Sequence, residues 1–92
     1  MGQPEHIAWC AEGASGGRGF GFTGAHPHWN WAHDDVRQLV LNALVWITGL
    51  EVPENGVPSK RPTLAELEAN QDAAKPQNYD PAKIQRMIDS WE

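Results

Sequence analysis

The chain has a single cysteine, Cys10, and few basic residues among its 92. One cysteine excludes an intramolecular disulfide framework and a zinc fold built on several cysteines. Seven Lys and Arg against twelve Asp and Glu give a net charge of −5. A chain this acidic is poorly suited to binding nucleic-acid phosphates, so we expect no nucleic-acid partner.

Long apolar runs and targeting signals are also missing. The strongest apolar run, residues 39–50, is too short to span a bilayer, and Asn42 interrupts it. Residues 1–5 have neither the basic region nor the apolar stretch of a secretory signal. The sequence therefore predicts no membrane segment, and it leaves the cellular compartment open.

The apolar residues are concentrated in the first half of the chain. Residues 1–50 contain four of the five tryptophans, whereas five of the seven prolines lie after residue 50. A chain of this length is one domain at most and buries only about 60% of its unfolded surface. We therefore expect the first half to form the core and the second half to form a polar tail.

The first half predicts a β-hairpin followed by a helix. Residues 6–10 and 18–23 are rich in β-forming residues and flank a glycine-rich turn. In the second run Phe20 and Phe22 alternate with glycines, which predicts close packing on the glycine face. Residues 34–48 then follow a helical apolar repeat.

The tail predicts two short helices. Thr63 and Glu66 fit a capping box, and Asp80 before a proline fits a second helix start. The second helix carries one apolar stripe at helical spacing, which consists of Ile84, Met87, Ile88 and Trp91. This stripe must pack on the chain itself or on a partner.

Three motifs in the first half together resemble a known family. They are Ile7-Ala8-Trp9, Gly17-Arg18-Gly19-Phe20-Gly21-Phe22-Thr23-Gly24-Ala25-His26 and Leu41-Asn42-Ala43-Leu44-Val45-Trp46. Their order and spacing resemble the end of a ThuA-like (trehalose-utilisation) domain over residues 4–57. Gly19, Gly21 and Ala25 depart from the family pattern. The resemblance implies a C-terminal ThuA-like fragment at 1–57, followed by a polar tail at 58–92 with two short helices.

The resemblance also implies a fold and a function. ThuA-like domains share the α/β, flavodoxin-like sheet of class I glutamine amidotransferases, so this chain would supply its C-terminal β-hairpin and helix. The implied role is bacterial use of trehalose-like disaccharides, with a small carbohydrate as partner. Ligands of such sheets bind at the carboxyl ends of strands, and the loop 24–33 leaves such an end. The loop is therefore expected to form one wall of a sugar pocket.

The loop and the start of the helix contain the candidate site residues. We assign His26 and Asp35 as the candidate catalytic residues, and His26 falls on the motif histidine of the resembled family. His28, Trp29 and Trp31 are the candidate sugar-binding residues, because indole rings stack on pyranose faces. Whether the chain is an enzyme stays open.

Three alternatives compete with the sugar site. The histidines His26, His28 and His33 have the spacing to bind a divalent metal, with Asp34 as a further ligand; no other cofactor is predicted. In a purely structural alternative, the rings pack the loop against the body and Asp34 caps the helix. The third alternative is a non-catalytic oligomerisation or interaction module that binds a second copy or a partner chain, because the main helix is too apolar for two strands to cover.

Overall fold

The chain folds into a mixed α/β arrangement with one two-stranded antiparallel sheet and three α-helices among residues 2–91, which the computed structural model describes. Met1 and Glu92, the outer ends of the two predicted segments, lie outside the described residues. The elements follow in the order β1 (Ala8–Glu12), β2 (Arg18–Phe22), a 3₁₀ helix (His28–Ala32), α1 (Asp34–Ile47), α2 (Leu64–Glu68) and α3 (Pro81–Asp89). The predicted hairpin, main helix and two tail helices are confirmed. No helix of the described part is long and apolar enough to cross a membrane.

The hairpin is organised by a tryptophan lying over a glycine. Trp9 of β1 pairs with Gly21 of β2, and Cys10 pairs with Phe20. A Cβ atom on Gly21 would overlap the indole ring of Trp9, because that ring lies directly against the glycine backbone. The close packing that the glycine face predicts is therefore present.

Helix α1 begins and ends at identifiable residues. His33 is the N-cap, and its Nδ1 accepts a hydrogen bond of 3.2 Å from the backbone N–H of Asp35. Asp34 is the first helical residue rather than the cap, so its carboxylate is left for other partners. Gly49 has a φ of +85°, a conformation that favours glycine and ends the helix.

The polar side chains of α1 hold the irregular segment 51–62 against the helix. Gln38 Nε2 donates to the carbonyl of Asn55 at 3.0 Å, and Asn42 Oδ1 accepts from the N–H of Val57 at 2.8 Å. Arg37 Nε donates to the Ser59 hydroxyl at 3.0 Å. The polar face of α1 thus contacts the chain itself.

The hydrophobic core joins the tail to the aromatic loop. Ala32 of the 3₁₀ helix, Leu67 of α2 and Ile88 of α3 are its buried members. The partly buried side chains packed against them are Trp29, Trp31, Leu64, Ile84 and Trp91. The apolar stripe of α3 therefore docks on its own chain, and 39% of Met87 stays exposed.

The hairpin and α1 are left without an equivalent cover. Trp9 of β1 is 52% exposed, and Leu44 of α1 is 53% exposed. The radius of gyration is 16.3 Å, whereas a compact chain of this length has about 12 Å. We call this open area, formed by β1, β2 and α1, the uncovered apolar surface.

The Trp9–Gly21 packing predicts how two glycines of β2 respond to substitution. Gly21→Ala should lower the free energy of unfolding by about 1 kcal/mol, because the new methyl group displaces the indole ring. Gly19→Ala is the matched control on the same strand face, since a Cβ there meets nothing within 4 Å. Urea unfolding followed by circular dichroism measures both, and equal stabilities of the two variants would contradict the packing.

Candidate functional site

His26 lies in the turn that follows β2, and its side chain is exposed. The loop around it is closed by Asn30 Nδ2, which donates to the carbonyl of Gly24 at 2.7 Å. Within residues 2–91 no hydrogen bond, ion pair or ring contact links His26 to Asp35, whose side chain is exposed at the start of α1. The two candidate catalytic residues are thus both accessible, and the structure does not join them.

His28 and Trp29 face the tail. His28 Nε2 is hydrogen-bonded to the carbonyl oxygen of Leu67 in α2. The His28 ring meets the edge of the Trp29 ring at a centroid distance of 5.5 Å, and the Trp29 ring lies 6.4 Å from that of Tyr79. Two of the three predicted sugar-binding residues therefore lie together, beside residues of the tail.

Trp31 and His33 have structural partners. Trp31 packs against the core, and its carbonyl accepts a 2.9 Å hydrogen bond from Arg37 Nη1. His33 caps α1 and lies 5.3 Å from the ring of Trp91. These contacts match the structural alternative for the two rings.

The three histidines proposed for a metal have different surroundings. His26 is exposed, His28 Nε2 is engaged by a carbonyl, and His33 Nδ1 is engaged as a helix cap. Within residues 2–91 no group of three or more His, Cys, Asp or Glu side chains is placed to hold a metal ion. No contact of this structure therefore favours a metal at the loop.

Asp34 joins two arginines that sequence patterns did not single out. Its Oδ1 accepts from Arg37 Nη2 at 2.5 Å, and its Oδ2 accepts from Arg61 Nη2 at 3.0 Å. The hydrogen bonds from Arg61 and then Arg37 lower the pKa of Asp34 from 3.8 to about 2. The carboxylate therefore stays ionised well into the acidic range.

A groove of about 700 Å³ lies between the 3₁₀ helix, the end of α2, residues 71–80 and α3, and we call it the tail groove. Its walls include His28, Trp29, Glu68, Lys75, Tyr79 and Met87. The sequence predicted only the first two of these as site residues. From the sequence alone, Glu68 belongs to an ordinary solvated helix face. It lies four residues after Leu64 and one after Leu67, however, which places it beside the buried face of α2.

The tail groove contains a linked set of polar and aromatic groups. Lys75 Nζ donates to Glu68 Oε2 at 3.2 Å and lies 4.5 Å from the centre of the Tyr79 ring. Glu68 Oε1 and Tyr79 Oη are both buried and have no hydrogen-bond partner among the described residues. Both residues line the tail groove, although the two oxygen atoms themselves have almost no accessible surface.

The chain matches no protein-family model, no curated protein and no solved structure. What the protein does is therefore inferred from the loop 24–33, the tail groove and the sequence motifs.

The lowered pKa of Asp34 predicts a loss of stability in acid. A carboxyl group whose pKa is depressed by folding stabilises the fold above its unfolded pKa, and that contribution is lost as the pH falls. For Asp34 the loss begins near the ordinary pKa of 3.8 and is complete below about 2. Urea unfolding between about pH 4 and pH 2 should therefore show a steeper decline in the wild type than in Asp34→Asn. Asp35→Asn, which removes the neighbouring exposed carboxylate, is the control and should keep the wild-type slope.

Proposed function

We propose that the chain is the C-terminal part of a ThuA-like domain that serves in the use of trehalose-like disaccharides, and that it supplies one wall of a sugar-binding pocket. The proposal rests on the motifs of residues 4–57, which fall on the hairpin, the loop and α1 in the expected order. Its finer fold assignment is the closing hairpin and last helix of a flavodoxin-like sheet.

The observation that carries the proposal is the uncovered apolar surface. A shallow groove of about 420 Å³ separates the hairpin from α1, and Trp9, Phe20, Leu39 and Trp46 are among its lining residues. Among the described residues β1 and β2 pair only with each other, so each has one unpaired edge there. A larger sheet packed beside the hairpin would cover the apolar side chains and satisfy an open edge.

The loop 24–33 would form the wall of the pocket. Trp31 and His33 hold the second half of the loop against the core and α1, and Asn30 joins it to the carbonyl of Gly24. His26 is exposed on that turn, directly after β2, where strand-end ligands of doubly wound sheets bind. In this proposal His26 and Asp35 contact sugar hydroxyl groups, and His28 and Trp29 extend the contact surface.

Replacement of His26 tests the sugar wall. Trehalose is titrated into the isotopically labelled chain, and its dissociation constant is read from NMR shift changes. His26→Ala should weaken binding about fivefold, the effect of losing one hydrogen bond, without lowering the melting temperature, because the side chain is exposed. His6→Ala, an exposed histidine outside the loop, is the matched control. Equal binding by the two variants would remove His26 from the site.

A second candidate function is an oligomerisation module, which the same exposed side chains favour. The exposed fractions of Leu39, Leu44 and Ile47 on α1 are 39%, 53% and 39%. No large side chain of the described part is completely buried. Self-association of two copies through α1 would remove this apolar area from water, which is a main source of association free energy.

Light scattering after size-exclusion chromatography tests the oligomerisation candidate. The wild-type chain should elute as a dimer, and Leu44→Glu should elute as a monomer because the charge would have to be buried at the contact. Ala82→Glu adds the same charge on the exposed surface of α3 and is the control. A well-folded wild-type monomer at high concentration would contradict this candidate.

A further inference from the structure

We propose that the tail groove is a binding subsite for one neutral sugar ring, built jointly by the 3₁₀ helix and the tail. The resemblance assigns no role to residues 58–92, whereas Glu68, Lys75 and Tyr79 of this segment form part of the groove. The choice of a sugar as ligand rests on the proposed function, and the location of the subsite rests on the groove itself.

The aromatic walls fit a sugar ring. The rings of Trp29 and Tyr79 lie 6.4 Å apart with an angle of 37° between their planes, and Met87 adds apolar surface. A pyranose has apolar faces of C–H groups and a polar rim, which suits a groove with aromatic walls and a few polar groups. The volume of about 700 Å³ is larger than one such ring requires, so the ring can be one unit of a disaccharide.

The polar anchors fit a hydroxyl group. Glu68 Oε1 and Tyr79 Oη are buried and lack hydrogen-bond partners within residues 2–91. Burying a polar group without a partner is unfavourable, so both atoms gain free energy when a ligand pairs with them. A small rotation of either side chain would bring its oxygen atom to the groove, where a sugar hydroxyl can donate to Glu68 Oε1 or accept from the Tyr79 hydroxyl. An apolar ligand of the same size would leave both atoms unpaired.

The charges of the groove favour a neutral ligand. Lys75 already neutralises Glu68 through their 3.2 Å ion pair. Asp80 and Lys83 add one charge of each sign at the groove, and Asp80 Oδ1 also accepts from the backbone N–H of Lys83. The lining therefore has no excess of positive charge of the kind that phosphate binding requires.

The walls are held in place from outside the groove. Thr63 and Glu66 form a complete capping box at the start of α2. His28 is hydrogen-bonded to the carbonyl of Leu67, the residue that precedes Glu68. The backbone N–H of Thr63 donates to the Glu66 carboxylate and lowers the pKa of that group. A preformed wall of this kind reduces the ordering that a ligand would have to impose.

Trehalose titration of three variants tests the subsite, with NMR shifts recorded on the whole chain. Tyr79→Phe removes only the hydroxyl and keeps the ring against Lys75, so the fold should be retained. Glu68→Ala removes both carboxylate oxygens. Each should raise the dissociation constant about fivefold through the loss of one hydrogen bond. Glu54→Ala, the same change at an exposed residue of the segment 51–62, should bind like the wild type.

The outcomes separate this proposal from the function it rests on. Weaker binding by Tyr79→Phe, with shift changes at the Trp29 indole, supports the subsite even where His26→Ala binds normally. If both groove variants bind trehalose like the wild type, and the shift changes are confined to the loop near His26, the subsite is overturned and the sugar function stays in place. Absence of trehalose binding by the folded wild type overturns the subsite, because all the walls of the tail groove lie within this chain.

Discussion

The hydrogen bonds of the Arg37 guanidinium determine how the aromatic loop, α1 and the segment 51–62 are arranged. Only 9% of the residue is exposed, and its nitrogens donate to the Trp31 carbonyl, the Asp34 carboxylate and the Ser59 hydroxyl. One side chain thus joins the aromatic loop, the start of α1 and the segment that leaves it. Asp34 extends the connection to Arg61, whose Nη2 lies 3.4 Å from the carbonyl oxygen of Trp91. Loss of the guanidinium would leave the half-buried Trp31 carbonyl without this partner and would release the three segments from one another.

The two halves of the structure are stabilised in different ways. The loop and the tail share a small core around Ala32, Leu67 and Ile88, to which the tryptophans of the loop contribute. The hairpin and α1 are joined mainly at their ends, where Arg18 donates to the Trp46 carbonyl at 2.9 Å and lies over its ring. Most of the apolar content therefore lies where packing is least complete. This contrast explains why a sugar wall and an assembly surface are both reasonable roles for one short chain.

Local sequence signals predicted most of the elements because each has a local physical cause. The capping box of Thr63, the cap of Asp80 and the stop at Gly49 act within a few residues, and all three are present. Tertiary partners were harder to predict. Arg37 lies on the polar side of the helical apolar repeat, and nothing in the neighbouring sequence indicates that Ser59 is its partner. Glu68 was expected in solvent because its burial depends on residues 71–80, which have no periodic pattern.

Helix α1 reverses the usual orientation of a surface helix. Its polar side chains beyond the first turn, Arg37, Gln38 and Asn42, are occupied by the backbone and side chains of its own chain. Beyond that turn, the side chains of α1 that are exposed to water are instead leucines and an isoleucine. Any surface that comes to lie on this side of α1 would thus find few directional polar groups to align it. Its position would be selected by the shapes of Trp9, Leu39 and their neighbours, so fit rather than hydrogen bonding would decide which surfaces are accepted.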